Sequence, residues 1–109
     1  NGGFIQVRKN IISDKYKNIK GIGLKFRGNN TDYFIHIRTR FTLLPWQYYQ
    51  AKYYATNNWA EIKFDFTDFT RSGGLLPKKI NPKYITSFAI VAFGKKHEVH
   101  LDVSEIVFY

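Results

Sequence analysis

Apolar and polar residues alternate along much of the chain, with almost no helical periodicity. "GIGLKFRG" (21–28) sets Ile22, Leu24 and Phe26 against Gly23, Lys25 and Arg27. "DYFIHIRTR" (32–40) sets Tyr33, Ile35 and Ile37 against Phe34, His36 and Arg38. "YYQAKYYA" (48–55) and "WAEIKFDF" (59–66) repeat the pattern, with Tyr49, Ala51, Tyr53 and then Ala60, Ile62, Phe64, Phe66 on one side. A period of two sends successive side chains to opposite faces, so each segment reads as a half-buried strand. "GFIQVRK" (3–9) reads as a first strand, followed by a polar connector with scope for a helical turn. "SFAIVAFG" (87–94) is apolar in both phases, which predicts a strand covered on both faces. In "EVHLDVSEIVFY" (98–109) the apolar phase slips from Val99, Leu101, Val103 to Ile106, Phe108, which predicts a bulge near Ser104.

The connections carry turn chemistry. "GNNTD" (28–32) predicts that 32–40 returns as the antiparallel hairpin partner of 21–28. That pairing brings Lys25 and Arg27 to the outer side of the same sheet. "FTLLPWQ" (41–47) is a loop broken by Pro45, and "TNN" (56–58) is a turn. The stretch 67–85 holds Gly73, Gly74, Pro77 and Pro82 and is too long for a simple turn. Within it Asn81 can cap one short helical turn that opens on Pro82, near 81–85. About seven short antiparallel strands without an internal repeat predict an all-β fold, a β-sandwich. An open barrel of oligonucleotide-binding type competes, but the long 67–85 connection suits a chain crossing between two sheets.

Composition narrows the picture. A chain of 109 residues is enough for one domain with a core of its own, and its 18% aromatic content agrees with sheet. With no cysteine, disulfides and thiolate metal sites are excluded, which fits an intracellular protein, cytoplasmic or mitochondrial. Seventeen Lys and Arg against eight Asp and Glu favour anionic partners: nucleic acid, acidic lipid headgroups or an acidic protein face. The lysines are scattered, so plain solubility accounts for them equally. No apolar run approaches the ~18 residues of a membrane span.

Candidate chemistry lies on the outward positions. Phe34, His36 and Arg38 on one strand and Tyr48, Gln50, Lys52 and Tyr54 on another form one face of aromatic rings beside charged and amide donors. Such a face suits a planar or polyhydroxyl ligand or a protein partner, and Arg38 has the fork for a carboxylate or phosphate. The same residues also serve as ordinary cross-strand pairs of a solvated sheet. Trp46 in "LLPWQYY" is a hot-spot residue type, or else a plug for the end of the sandwich.

Catalytic patterns are missing. His97 and His100 in "HEVH" point to opposite faces of a strand and do not share an ion readily. Asp65 and Asp68 suit capping better than acid–base work, and there is no nucleophile elbow or phosphate loop. "RSGG" (71–74) offers backbone N–H groups as any flexible loop tip does, and "NNT" makes Asn29 a glycosylation sequon that matters only on secretion.

The order of segments carries a family resemblance. "NGGFIQVR" (1–8), "GIGLKFRGNNTDYFIHIRT" (21–39), "YYQAKYYATNNWAEIKFDFTDF" (48–69) and "SFAIVAFGKKHEVHLDVSEI" (87–106) together resemble the complex I intermediate-associated protein 30 family. The resemblance implies a galactose-binding-like jelly roll and a non-enzymatic role without a cofactor. It implies an assembly module whose protein partners are respiratory-complex subunits or intermediates, since mitochondrial members assist assembly of complex I. The family pattern extends upstream of "NGGF", so the expectation is a single β-sandwich domain over 1–109 lacking its N-terminal strand or strands. Carbohydrate binding is the alternative that the shared architecture raises, and nucleic-acid or other polyanion binding is the third. The ligand- or partner-binding set expected from the sequence is Phe34, His36, Arg38, Trp46, Tyr48, Gln50, Lys52 and Tyr54.

Overall fold

The computed structural model describes residues 3–10, 18–94 and 102–109. Its strands are β1 (Gly3–Asn10), β2 (Gly21–Arg27), β3 (Thr31–Thr39), β4 (Tyr49–Ala55), β5 (Ala60–Asp65), β6 (Thr70–Arg71), β7 (Ile85–Gly94) and β8 (Asp102–Phe108). They form a sandwich of two antiparallel sheets, ordered β1-β7-β3-β4-β6 and β5-β2-β8. The "HEVH" segment and most of the connector after β1 lie outside the described residues.

The core lies where the alternation places it. Ile22, Leu24 and Phe26 of the smaller sheet face Tyr33, Ile35, Ile37 and Tyr49 of the larger one, and all are buried. Phe88, Ala89, Ile90 and Val91 of β7 are all buried, so this stretch is covered on both faces as its double apolar phase predicts. The phase slip in the last strand is also real. Lys25 pairs with Glu105 and Phe26 with Val103, which leaves Ser104 as the extra residue of a bulge. A short 3-10 turn runs over Pro82–Tyr84, with the Asn81 side chain accepting a hydrogen bond from the Lys83 N–H.

Strand pairing departs from expectation at one place. β2 and β3 are not a hairpin, since β2 pairs with β5 and β8 whereas β3 pairs with β4 and β7. The segment 28–30 instead carries the chain across from one sheet to the other. Its backbone is stitched to the end of β4, with Gly28 N–H donating to Thr56 O (2.7 Å) and Asn30 N–H to Ala55 O (2.8 Å). Asn30 takes the left-handed conformation (φ 62°) that Asn tolerates. Gly28 is needed for close approach, because a Cβ there would lie 2.7 Å from both the Tyr33 ring and the Ala55 methyl. Lys25 and Arg27 therefore sit on the other sheet, away from the outer face of β3 and β4. The strand expected over 59–66 also stops at Asp65, where Phe66–Asp68 forms a 3-10 turn closed by a reciprocal Asp65–Asp68 capping box.

Candidate functional site

The outer face of β3 and β4 gathers most of the residues singled out in the sequence. Register places Asp32 opposite Tyr54, Phe34 opposite Lys52 and His36 opposite Gln50. On the other flank, Phe34 lies opposite Val91 and His36 opposite Ala89. The His36 ring stacks on Tyr48 at 4.1 Å between centroids and 10° between planes. Its Nε2–H donates to Gln50 Oε1 at 2.7 Å. The imidazole is thus held flat and oriented by two neighbours, Gln50 on β4 and Tyr48 just before it. Lys52 Nζ is 3.5 Å from Asp32 Oδ2 at an exposed position, a pair that contributes little to stability. Tyr54 is exposed at the far end of the face.

Arg38 and Trp46 stand apart from that group. The Arg38 guanidinium turns into the following loop and donates to the carbonyls of Thr42 (2.7 Å), Leu44 (3.2 Å) and Pro45 (3.2 Å). It shapes the loop that leads into β4. Trp46 projects from that loop with 66% of its surface exposed, so it does not plug the end of the sandwich.

Two clefts lie at the same end, under the 72–84 connection. One, about 350 Å³, has Phe66, Phe69 and Ile80 as apolar lining with Arg71, Lys78 and Lys79 beside them. The other, about 440 Å³, lies between Phe41, Tyr49, Pro77 and Tyr84. Neither is lined by the sheet-face residues. Their one signal in the sequence is Ile80, an apolar residue in a Gly- and Pro-rich loop, which lines both. Among the described residues no group of three or more His, Cys, Asp or Glu side chains could hold a metal ion.

Among the described residues, Tyr33, Tyr49 and Tyr109 carry perturbed phenols. Burial raises the Tyr33 pKa, and its hydroxyl donates to Asn29 Oδ1. Burial raises that of Tyr49, with the Arg71 charge opposing, while its hydroxyl donates to Pro77 O. Tyr109 is pushed up to about 12 by burial, by its hydrogen bond to Asp65, and by the charges of Asp65 and Asp68. A pKa raised on folding means that the neutral phenol is favoured by the fold. The stabilisation is therefore fully present below the ordinary tyrosine range near pH ~10 and is lost as pH rises through the folded values. Alkaline titration of phenolate absorbance should show Tyr33, Tyr49 and Tyr109 ionising above the ordinary tyrosine range, with stability falling over the same interval. A single ordinary titration step would contradict the assignment.

The fold has a counterpart among solved structures. A family 11 carbohydrate-binding module from Clostridium thermocellum, in complex with a β-1,3-1,4-mixed-linked tetrasaccharide, superposes with a TM-score of 0.68 at 12% identity. The match covers 96% of this chain and 67% of that one, which establishes a galactose-binding-like jelly roll and nothing about ligand. No curated protein matches the sequence. The family model for complex I intermediate-associated protein 30 (CIA30), however, matches residues 1–103. With the two-sheet architecture and the ordered strand motifs, that match places the chain in the CIA30 family.

Proposed function

We propose that the chain is a non-enzymatic binding module with a role in respiratory complex I assembly, and that it engages a protein partner through the outer face of β3 and β4. The observation that carries this reading is the ordered group on that face. His36 is stacked on Tyr48 and hydrogen-bonded to Gln50, while Phe34, Lys52 and Tyr54 flank it. Rings fixed in orientation lose little freedom on binding, and adjacent amide and ammonium donors give direction to the contact. Membership of the CIA30 family supports the choice of partner class.

The test is capture of partners from native lysate by wild type and by a Lys52→Ala/Tyr54→Ala double variant. Both residues are exposed, so the fold should persist. Respiratory-complex subunits should be retained by wild type at raised salt, and their recovery should drop about tenfold or more in the variant, as for loss of an interface anchor. Equal capture by both proteins would remove the sheet face from the reading. Retention of glycan alone would turn the proposal towards the carbohydrate-binding behaviour of the structural counterpart. Nucleic acid lost at raised salt would indicate charge-driven binding.

A further inference from the structure

One end of the larger sheet combines exposed apolar side chains with exposed basic ones. Register brings four chain passages together there. Thr39 at the end of β3 pairs with Ile85 at the start of β7, and Tyr49 at the start of β4 pairs with Arg71 of β6. The loops 40–48 and 72–84 therefore leave the sheet side by side. They are tied to each other by Ser72, whose N–H donates to Tyr48 O (2.8 Å) and whose hydroxyl donates to Trp46 O (3.0 Å).

From these two loops Leu43 (81% exposed), Trp46 (66%) and Leu75 (92%) project into solvent, with Leu44 partly exposed beside them. Hydrophobic side chains clustered at loop tips normally mark a contact surface. The loop backbone is suited to leaving bulk water. Arg38 covers the carbonyls of Thr42, Leu44 and Pro45, Gln47 Oε1 accepts from Leu44 N–H, and Gln47 N–H donates to Leu44 O. Backbone groups satisfied internally are a precondition for entering a poorly hydrated layer.

The charge on the two loops has one sign. No Asp or Glu occurs from Tyr33 through Ala60 or from Phe69 through His97, the stretches that contain both loops. The carboxylates nearest to the loops in sequence, Asp65 and Asp68, are engaged with each other in the turn beside the Phe66 cleft. Arg40, Lys78, Lys79 and Lys83 are exposed there. Arg40 and Lys83 both lie over the Tyr84 ring, which Phe41 also packs against, so part of the surround is fixed in place.

We propose that this end of the sandwich docks on an anionic lipid surface. Leu43, Leu44, Trp46 and Leu75 enter the headgroup layer, and the surrounding lysines and arginines meet the lipid phosphates. The arrangement is that of an interfacial anchor: a few apolar side chains for insertion, a tryptophan for the interface, and cations for the negative leaflet. It is separate from the face of β3 and β4.

The test is co-sedimentation at low ionic strength with vesicles of phosphatidylcholine alone and of phosphatidylcholine mixed with phosphatidylserine. Wild type should sediment with the mixed vesicles and remain in solution with the neutral ones. Leu43→Ser/Leu75→Ser should lower partitioning about tenfold or more through lost insertion. Lys78→Glu/Lys79→Glu should lower it by a similar factor and erase the preference for phosphatidylserine. Both changes are at exposed positions, and circular dichroism checks that each variant is folded. Lys52→Ala/Tyr54→Ala should sediment as wild type does, which separates this surface from the sheet face. Wild type remaining in solution with the mixed vesicles would overturn the proposal and leave the apolar tips to a protein partner. Unchanged sedimentation of Leu43→Ser/Leu75→Ser would overturn it too, because charge alone would then explain the binding.

Discussion

Replacing Phe26 with alanine should lower the free energy of unfolding by about 3–5 kcal/mol, the range for removing a buried aromatic ring. Phe26 is 1% exposed and belongs to the core between the two sheets. Its ring meets Tyr53 edge-on at 4.8 Å, Tyr53 meets Phe64 at 6.3 Å, and Phe64 meets Phe69 at 6.2 Å. The ring thus joins the two sheets and begins an aromatic chain through the core. It also flanks the bulge at Ser104, where local collapse around a cavity would have to disturb the pairing of β2 with β8. Urea unfolding should show a lower midpoint with an unchanged slope. Phe26→Leu, which keeps most of the volume, should cost less than about 1.5 kcal/mol. Equal losses for the two variants would mean that packing volume is not what Phe26 provides.

Gly21→Ala should cost about 1–3 kcal/mol through overpacking. A Cβ at Gly21 would lie 2.3 Å from the Phe64 carbonyl oxygen and 2.5 Å from the Tyr109 hydroxyl. The first of these is backbone of the paired strand and cannot swing away, so β2 and β5 would have to separate locally. The second is the phenol that donates to Asp65, and moving it would break that hydrogen bond. Two effects should therefore appear together: a lower unfolding midpoint and a Tyr109 titration shifted back towards the ordinary range. Adding Tyr109→Phe to Gly21→Ala should recover only part of the loss, since the clashes with the carbonyl and with the ring Cζ (2.6 Å) remain. Full recovery would show that the tyrosine hydroxyl alone sets the need for glycine.

Facing was legible in the sequence; partnership was not. Alternation tells which side of a strand is buried, and Tyr33, Ile35, Ile37 and Tyr49 lie in the core accordingly. Local chemistry was legible too, as at Asn81, Pro82 and Ser104. The pairing of β2 eluded the same reasoning because "GNN" serves a tight hairpin and a crossing between sheets equally well. What decides is the fit of Gly28 against Tyr33 and against Ala55, which comes from a strand much further along the chain. The candidate face shows the same division. His36, Tyr48 and Gln50 come together as the strand phases require. Arg38 shares their phase, but its reach depends on the path of the loop after Thr39, which no periodicity records. Trp46 likewise could be placed on a loop, yet its exposure follows from how Arg38 and Ser72 hold that loop.

The order in which strands pair governs when the fold can be completed. In the larger sheet β7 lies between β1 and β3, with Gly3 opposite Gly94 and Ile37 opposite Phe88. In the smaller sheet β8 pairs with β2, with Ile22 opposite Phe108. Each layer therefore waits for the C-terminal part of the chain. During synthesis β2, β3 and β4 emerge with apolar faces and open edges long before β7 and β8 exist to cover them. Closing loops this long is entropically slow, and the unpaired edges offer sites for other copies or for chaperones. The edges of β2 and β3 that these late partners cover therefore stay open until β7 and β8 have emerged.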